Sequence, residues 1–103
     1  MNHLPPAVTL RKLEPHSWFM AVGDKRPGAR HEVLLNDQPI GEVEKGSRDS
    51  YRSDGTTSRI RYGFRGYGVY WQAKATTGEP VGYHHYTRRD AIEALVRERN
   101  EKP

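Results

Sequence analysis

From Arg59 to Tyr86 the side chains alternate in polarity with a period of two, and directly after Tyr86 the period becomes helical. This change of period constrains the fold more than any other feature, because a period of two places alternate residues on opposite faces of a strand, whereas spacings of three and four place them on one face of a helix. Ile60, Tyr62 and Phe64 oppose Arg59, Arg61, Gly63 and Arg65. Val69, Trp71, Ala73 and Ala75 oppose Tyr70, Gln72, Lys74 and Thr76. Val81, Tyr83 and His85 oppose Gly82, His84 and Tyr86. Gly66-Tyr67-Gly68 and Thr77-Gly78-Glu79-Pro80 carry turn residues between these runs. The pattern predicts a three-stranded antiparallel meander over residues 58–86.

Thr87 is a good N-cap, with Asp90 three residues on. Ala91, Ile92, Leu95 and Val96 form one apolar stripe, which predicts a helix over residues 87–100. That stripe needs the apolar face of the sheet, so Trp71 is expected between helix and sheet, against Leu95 or Ile92. Upstream, Glu32-Val33-Leu34-Leu35 and Ile40-Gly41-Glu42-Val43 flank Asn36-Asp37-Gln38-Pro39, which reads as a hairpin over residues 31–45. Trp18 to Val22 is a short apolar run that suits a buried strand. The polar stretch 46–57 reads as a loop. Residues 1–16, with Pro5, Pro6 and Pro15, read as an extended or flexible arm preceding a single domain over 17–103. The expected fold class is α+β: an antiparallel sheet, the meander extended by the hairpin, with one C-terminal helix on one face.

Composition narrows the chemistry. Cysteine is absent from the 103 residues, which excludes disulfides, thiolate metal sites and a cysteine nucleophile. Leu, Ile, Val and Phe make up 18 residues, so the core is thin and the aromatics must contribute to it. The start Met-Asn-His-Leu-Pro-Pro has neither the basic head nor the apolar core of a secretory signal, and a cytoplasmic location is expected. His84 and His85 are neighbours and face opposite sides of a strand, and no zinc-ligand spacing occurs, so neither a metal nor another cofactor is expected. His84, Glu79 and the arginines are residue types a ribonuclease uses. They are equally common in basic domains, so no catalytic role is assigned.

The net charge is +4, and residues 58–89 hold six basic side chains against Glu79 alone. With the helix on the apolar face, the other face of the meander presents Arg59, Arg61, Arg65, Tyr70, Gln72, Lys74 and His84. No carboxylate is among them, and adjacent like charges on a sheet repel unless an anion relieves them. The expected partner is therefore a nucleic acid, DNA before RNA. Arg59, Arg61 and Lys74 would hold phosphates, Arg65 and Gln72 base edges, and Tyr70 the sugar or backbone. Pairing of these cations with Glu42 and Glu44 on a neighbouring strand would weaken that expectation. The alternative is a regulator that binds an acidic protein surface through arginines and the tyrosines Tyr51, Tyr67 and Tyr70. No membrane partner is expected, since the apolar runs are too short to span.

The order strand, strand, strand, capped helix over residues 59–98 resembles the DNA-binding domain of plant ethylene-response factors and the arm-binding domain of tyrosine integrases. Tyr62-Gly63-Phe64-Arg65, Trp71-Gln72-Ala73, Val81-Gly82-Tyr83 and Thr87 with Ala91 and Ala94 carry the resemblance. It implies a sheet face lying in the DNA major groove, with Arg65 at a base-contacting position.

Overall fold

The computed structural model describes residues 7–16, 20–51 and 64–101. Four strands form one antiparallel sheet in chain order: β1 (Val8–His16), β2 (Gly28–Leu35), β3 (Gln38–Tyr51) and β4 (Phe64–Ala75). The helix α1 (Arg88–Glu101) covers one face. The α+β class, the antiparallel sheet and the single C-terminal helix packed on it are as the sequence predicts.

The helix starts where its cap dictates. The Thr87 hydroxyl accepts the Asp90 amide at 3.1 Å, and the Thr87 carbonyl accepts the Ala91 amide at 3.2 Å. This satisfies donors that a helix N-terminus otherwise leaves open. Ile92 and Leu95 are almost wholly buried against Val8, Val33, Ile40, Val43 and Ala73. Each such side chain contributes roughly 1.5–3 kcal/mol through burial. Trp71 is half-buried and packs on the edge of this cluster, on the same face as Ala73. The strand phase read from the sequence therefore holds for residues 69–75.

The hairpin of β2 and β3 turns on Asn36 and Asp37 alone, with φ of 53° and 65°. Two left-handed residues are what a two-residue hairpin turn requires, and Asn and Asp tolerate that region. Gln38 and Pro39, expected in the turn, belong to β3.

Elsewhere the strands are laid out differently from the sequence expectation. Residues 8–16 are an edge strand rather than a lead-in, and Pro15 lies where the β1–β2 register slips, between Leu13 and His16. An edge strand accepts proline because one side of it needs no ladder donors. Met20 is buried, but the chain then turns, with the Asp24 amide donating to the Ala21 carbonyl, and Val22 is exposed. Residues 20–22 are thus no strand, and Trp18 and Phe19 of the expected run lie outside the described residues. Residues 46–51, expected as loop, complete β3 and pair with β4 as far as Tyr51 opposite Phe64.

Gly66-Tyr67-Gly68 does not turn the chain. These residues continue β4 opposite Ser50, Asp49 and Arg48. Glycine marks strand irregularity as well as turns, and here the register slips next to Gly66, between Ser50 and Tyr51. The third strand of the meander survives only as isolated pairing along the outer edge of β4. Trp71 and His85 exchange backbone hydrogen bonds of 2.7 and 2.9 Å, and the Val81 amide donates to Ala73. Between those contacts Gly82, at φ 74°, lets residues 82–84 bulge outward. Residues 59–63, including Arg59 and Arg61, lie outside the described residues.

Candidate nucleic-acid interface

The sheet face away from α1 is neither acid-free nor unpaired. Register places Glu32, Glu42 and Glu44 on that face, beside Arg11, Arg30, Gln72 and Lys74. Arg11 pairs with Glu32 at 2.5 Å, Arg30 with Glu42 at 3.2 Å and Lys74 with Glu44 at 3.0 Å. Opposite charges therefore link all four strands. Glu32 and Glu42 stand directly opposite each other, a like-charge contact that Arg11 and Arg30 relieve. Glu44 is only 2% exposed. Lys74, expected to hold a phosphate, instead sets its ammonium against this buried carboxylate. Gln72 is half-buried opposite Glu44.

Past Glu44, β3 and β4 leave β2 behind and continue as a two-stranded ribbon, with Lys45 opposite Trp71 through to Tyr51 opposite Phe64. The two faces of this ribbon differ. On the helix side, the segment after Met20 packs against it. Ser47 donates to the Asp24 carboxylate at 2.7 Å and accepts the Ala21 amide at 3.0 Å. The Arg26 guanidinium bonds the same carboxylate twice, at 2.8 and 2.5 Å, its backbone amide donates at 3.1 Å, and the guanidinium lies 5.7 Å from the centre of the Tyr67 ring. The hydrogen bonds from Arg26 outweigh the opposing effect of burial and, with that from Ser47, hold the Asp24 carboxyl well below its usual 3.8.

A carboxyl depressed on folding stabilises the fold fully above its unfolded value of about 3.8, and that stability is lost as pH falls below it. The thermal midpoint should therefore drop steeply below about pH 4. In Asp24→Asn this acid-dependent drop should become shallower. An unchanged acid profile in that variant would show that the Asp24 cluster does not anchor the segment to the ribbon.

The opposite ribbon face carries Arg48, Ser50, Gly66, Gly68 and Tyr70. Arg48 is exposed. The Tyr70 ring lies across Gly46, where a Cβ would sit 2.5 Å from Tyr70 Cζ, so only glycine lets the ring lie flat there. His84 stacks on Tyr70 with centroids 4.0 Å apart and planes at 24°, and Tyr83 stacks on His84 at 4.2 Å and 16°. Tyr83 and Tyr86 are more than four-fifths exposed. Burial, with the nearby Glu44 charge, raises the Tyr70 phenol above its ordinary 10.0, against the opposing effect of Arg48.

Of the residues predicted to form one surface, Tyr70, Gln72, Lys74 and His84 do share a side of β4. Arg65 belongs to β4 further along the ribbon. Arg48, in the stretch expected as loop, joins this surface because β3 continues through it.

No protein-family model, no curated protein and no solved structure matches the chain. Among the described residues, no helix is long and apolar enough to cross a membrane.

Proposed function

We propose that the protein binds nucleic acid through the β3–β4 ribbon and the segment joining its strands, rather than through the charge-paired sheet face around Lys74. The observation that supports this is the location of the net charge. Residues 45–65 contain Lys45, Arg48, Arg52, Arg59, Arg61 and Arg65 against Asp49 and Asp54. The remainder of the chain holds eleven basic and eleven acidic residues, so the whole excess of +4 belongs to this one stretch. Five of its six cations are arginine, whose planar fork of donors suits phosphate. In this reading Arg48, Arg59, Arg61 and Arg65 hold the backbone, and no catalytic step or cofactor is assigned. The site of action is the cytoplasm.

Anisotropy titration of a labelled mixed-sequence oligonucleotide at a series of salt concentrations tests the proposal. Four to six phosphate contacts predict that log Kd rises with log salt with a slope of roughly 3–5. Absence of binding at low salt, or a slope below about one, would overturn it. The second reading, an acidic protein partner, draws on the exposure of Tyr83 and Tyr86. An interface anchored by aromatic rings depends much less on salt.

A further inference from the structure

The aromatic side chains of this thin-cored protein are not all spent on its core. Tyr70, His84 and Tyr83 form a continuous three-ring stack, and the outermost ring, Tyr83, is 81% exposed. The stack is held in place from below. Tyr70 is seated on Gly46, and the bulge that carries Tyr83 and His84 is closed by hydrogen bonds from Val81 to Ala73 and between His85 and Trp71. The His85 ring closes the bulge again, with Nε2 2.9 Å from the Val81 carbonyl. Such a ring end is pre-organised, and little side-chain freedom remains to be lost when another ring joins it.

A second observation on the same face points to a ligand. Gly68 lies within β4, directly opposite Arg48 and two residues from Tyr70. A Cβ there would meet nothing nearer than the Arg48 carbonyl at 4.0 Å, and Gly68 is not among the glycines of positive φ. Neither packing nor backbone conformation demands glycine at this position. Glycine weakens a strand, and where the fold itself does not require it, it suits close approach of a ligand to the backbone. The ground over Gly66 is equally bare. An exposed arginine and an uncovered strip of strand therefore lie on the same open ribbon face as Tyr70, the inner ring of the stack.

We infer that the outer face of Tyr83 is a stacking platform for an unpaired nucleobase, with the adjoining backbone running over Gly68 beside Arg48, so that the ligand is single-stranded. The inference rests on the nucleic-acid reading above and specifies its substrate class. In a duplex both faces of each internal base are already stacked, and a tyrosine platform gains nothing from it. In a single strand every base has a free π-face, and stacking on an aromatic side chain is tolerant of sequence.

The test compares a fluorescein-labelled single strand of about 12 nucleotides with the same sequence as a duplex, at low salt. The proteins are the wild type, Tyr83→Ala, Tyr83→Phe and Arg48→Ala. The wild type should prefer the single strand. Tyr83→Ala should weaken single-strand binding by about tenfold to a hundredfold, and Tyr83→Phe, which keeps the ring, should bind within about twofold of wild type. Tyr83 is exposed, so the fold tolerates both changes. Duplex preference, or wild-type affinity in Tyr83→Ala while Arg48→Ala is weakened, would overturn the stacking inference and leave the ribbon reading standing. If no protein binds either strand form, the nucleic-acid reading falls and the inference with it.

Discussion

Replacing Lys74 with alanine is expected to lower the unfolding free energy by about 3 kcal/mol. The effect comes from Glu44, which is 2% exposed and 3.0 Å from the Lys74 ammonium. A carboxylate in that position has lost most of its hydration, and its stability depends on the charges the protein supplies. Removing the lysine leaves that charge short of compensation. The Lys74 side chain is itself 29% exposed, so water can enter the vacated space, which sets the loss at the low end for a broken buried pair. Urea unfolding followed by tryptophan fluorescence measures it. The double variant Glu44→Leu/Lys74→Met should lie closer to wild type than Lys74→Ala, because it removes the buried charge together with its partner. A loss below about 0.5 kcal/mol in Lys74→Ala, the size of an exposed ion pair, would instead return Lys74 to the pool of cations available to an external anion.

The ribbon should behave in the opposite way. The quadruple variant Arg48→Ala, Arg59→Ala, Arg61→Ala and Arg65→Ala is expected to keep its unfolding midpoint and lose most of its salt-dependent binding. Each phosphate contact removed should reduce the slope of log Kd against log salt by about 0.7 to 0.9, so four lost contacts reduce it by about three. The variant also removes the entire formal charge excess of +4, and with it the field that draws a polyanion to this part of the molecule. Circular dichroism establishes that the variant is folded, and anisotropy at several salt concentrations gives the slope. A slope equal to that of wild type would place the contacts elsewhere.

The parts of the fold legible in the sequence are those where a core imposes a period. The α1 stripe and the phase of Trp71 and Ala73 follow directly from the residues, because each faces the same buried cluster, and the Thr87 cap follows from its own hydroxyl. Outside that cluster the period disappears. The ribbon residues Ser47 to Ser50 are polar yet extended, since one ribbon face is covered by a hydrogen-bonded segment around Asp24 and the other is open. Polarity there reads as loop although the backbone ladder is complete. β1 was obscured in the same way: Val8 and Leu10 point to the core, but Arg11 and Lys12 interrupt the pattern. The site was partly legible. Tyr70 and His84 do lie together, on the predicted side of β4. The ion pairs of Arg30 and Lys74 depend on which strand lies beside which, and one chain's alternation carries no such information.

On the proposed reading the distal β3–β4 ribbon, and not the charge-paired sheet face, meets the ligand. Amide chemical-shift mapping of the labelled protein during titration with a single-stranded oligonucleotide tests this residue by residue. The perturbed amides should cluster at residues 46–51, 66–70 and 82–84, with those of Thr9 to Leu13 and Arg30 to Leu34 unmoved. Perturbations centred on Arg11, Arg30 and Glu42, with the ribbon amides unchanged, would contradict it.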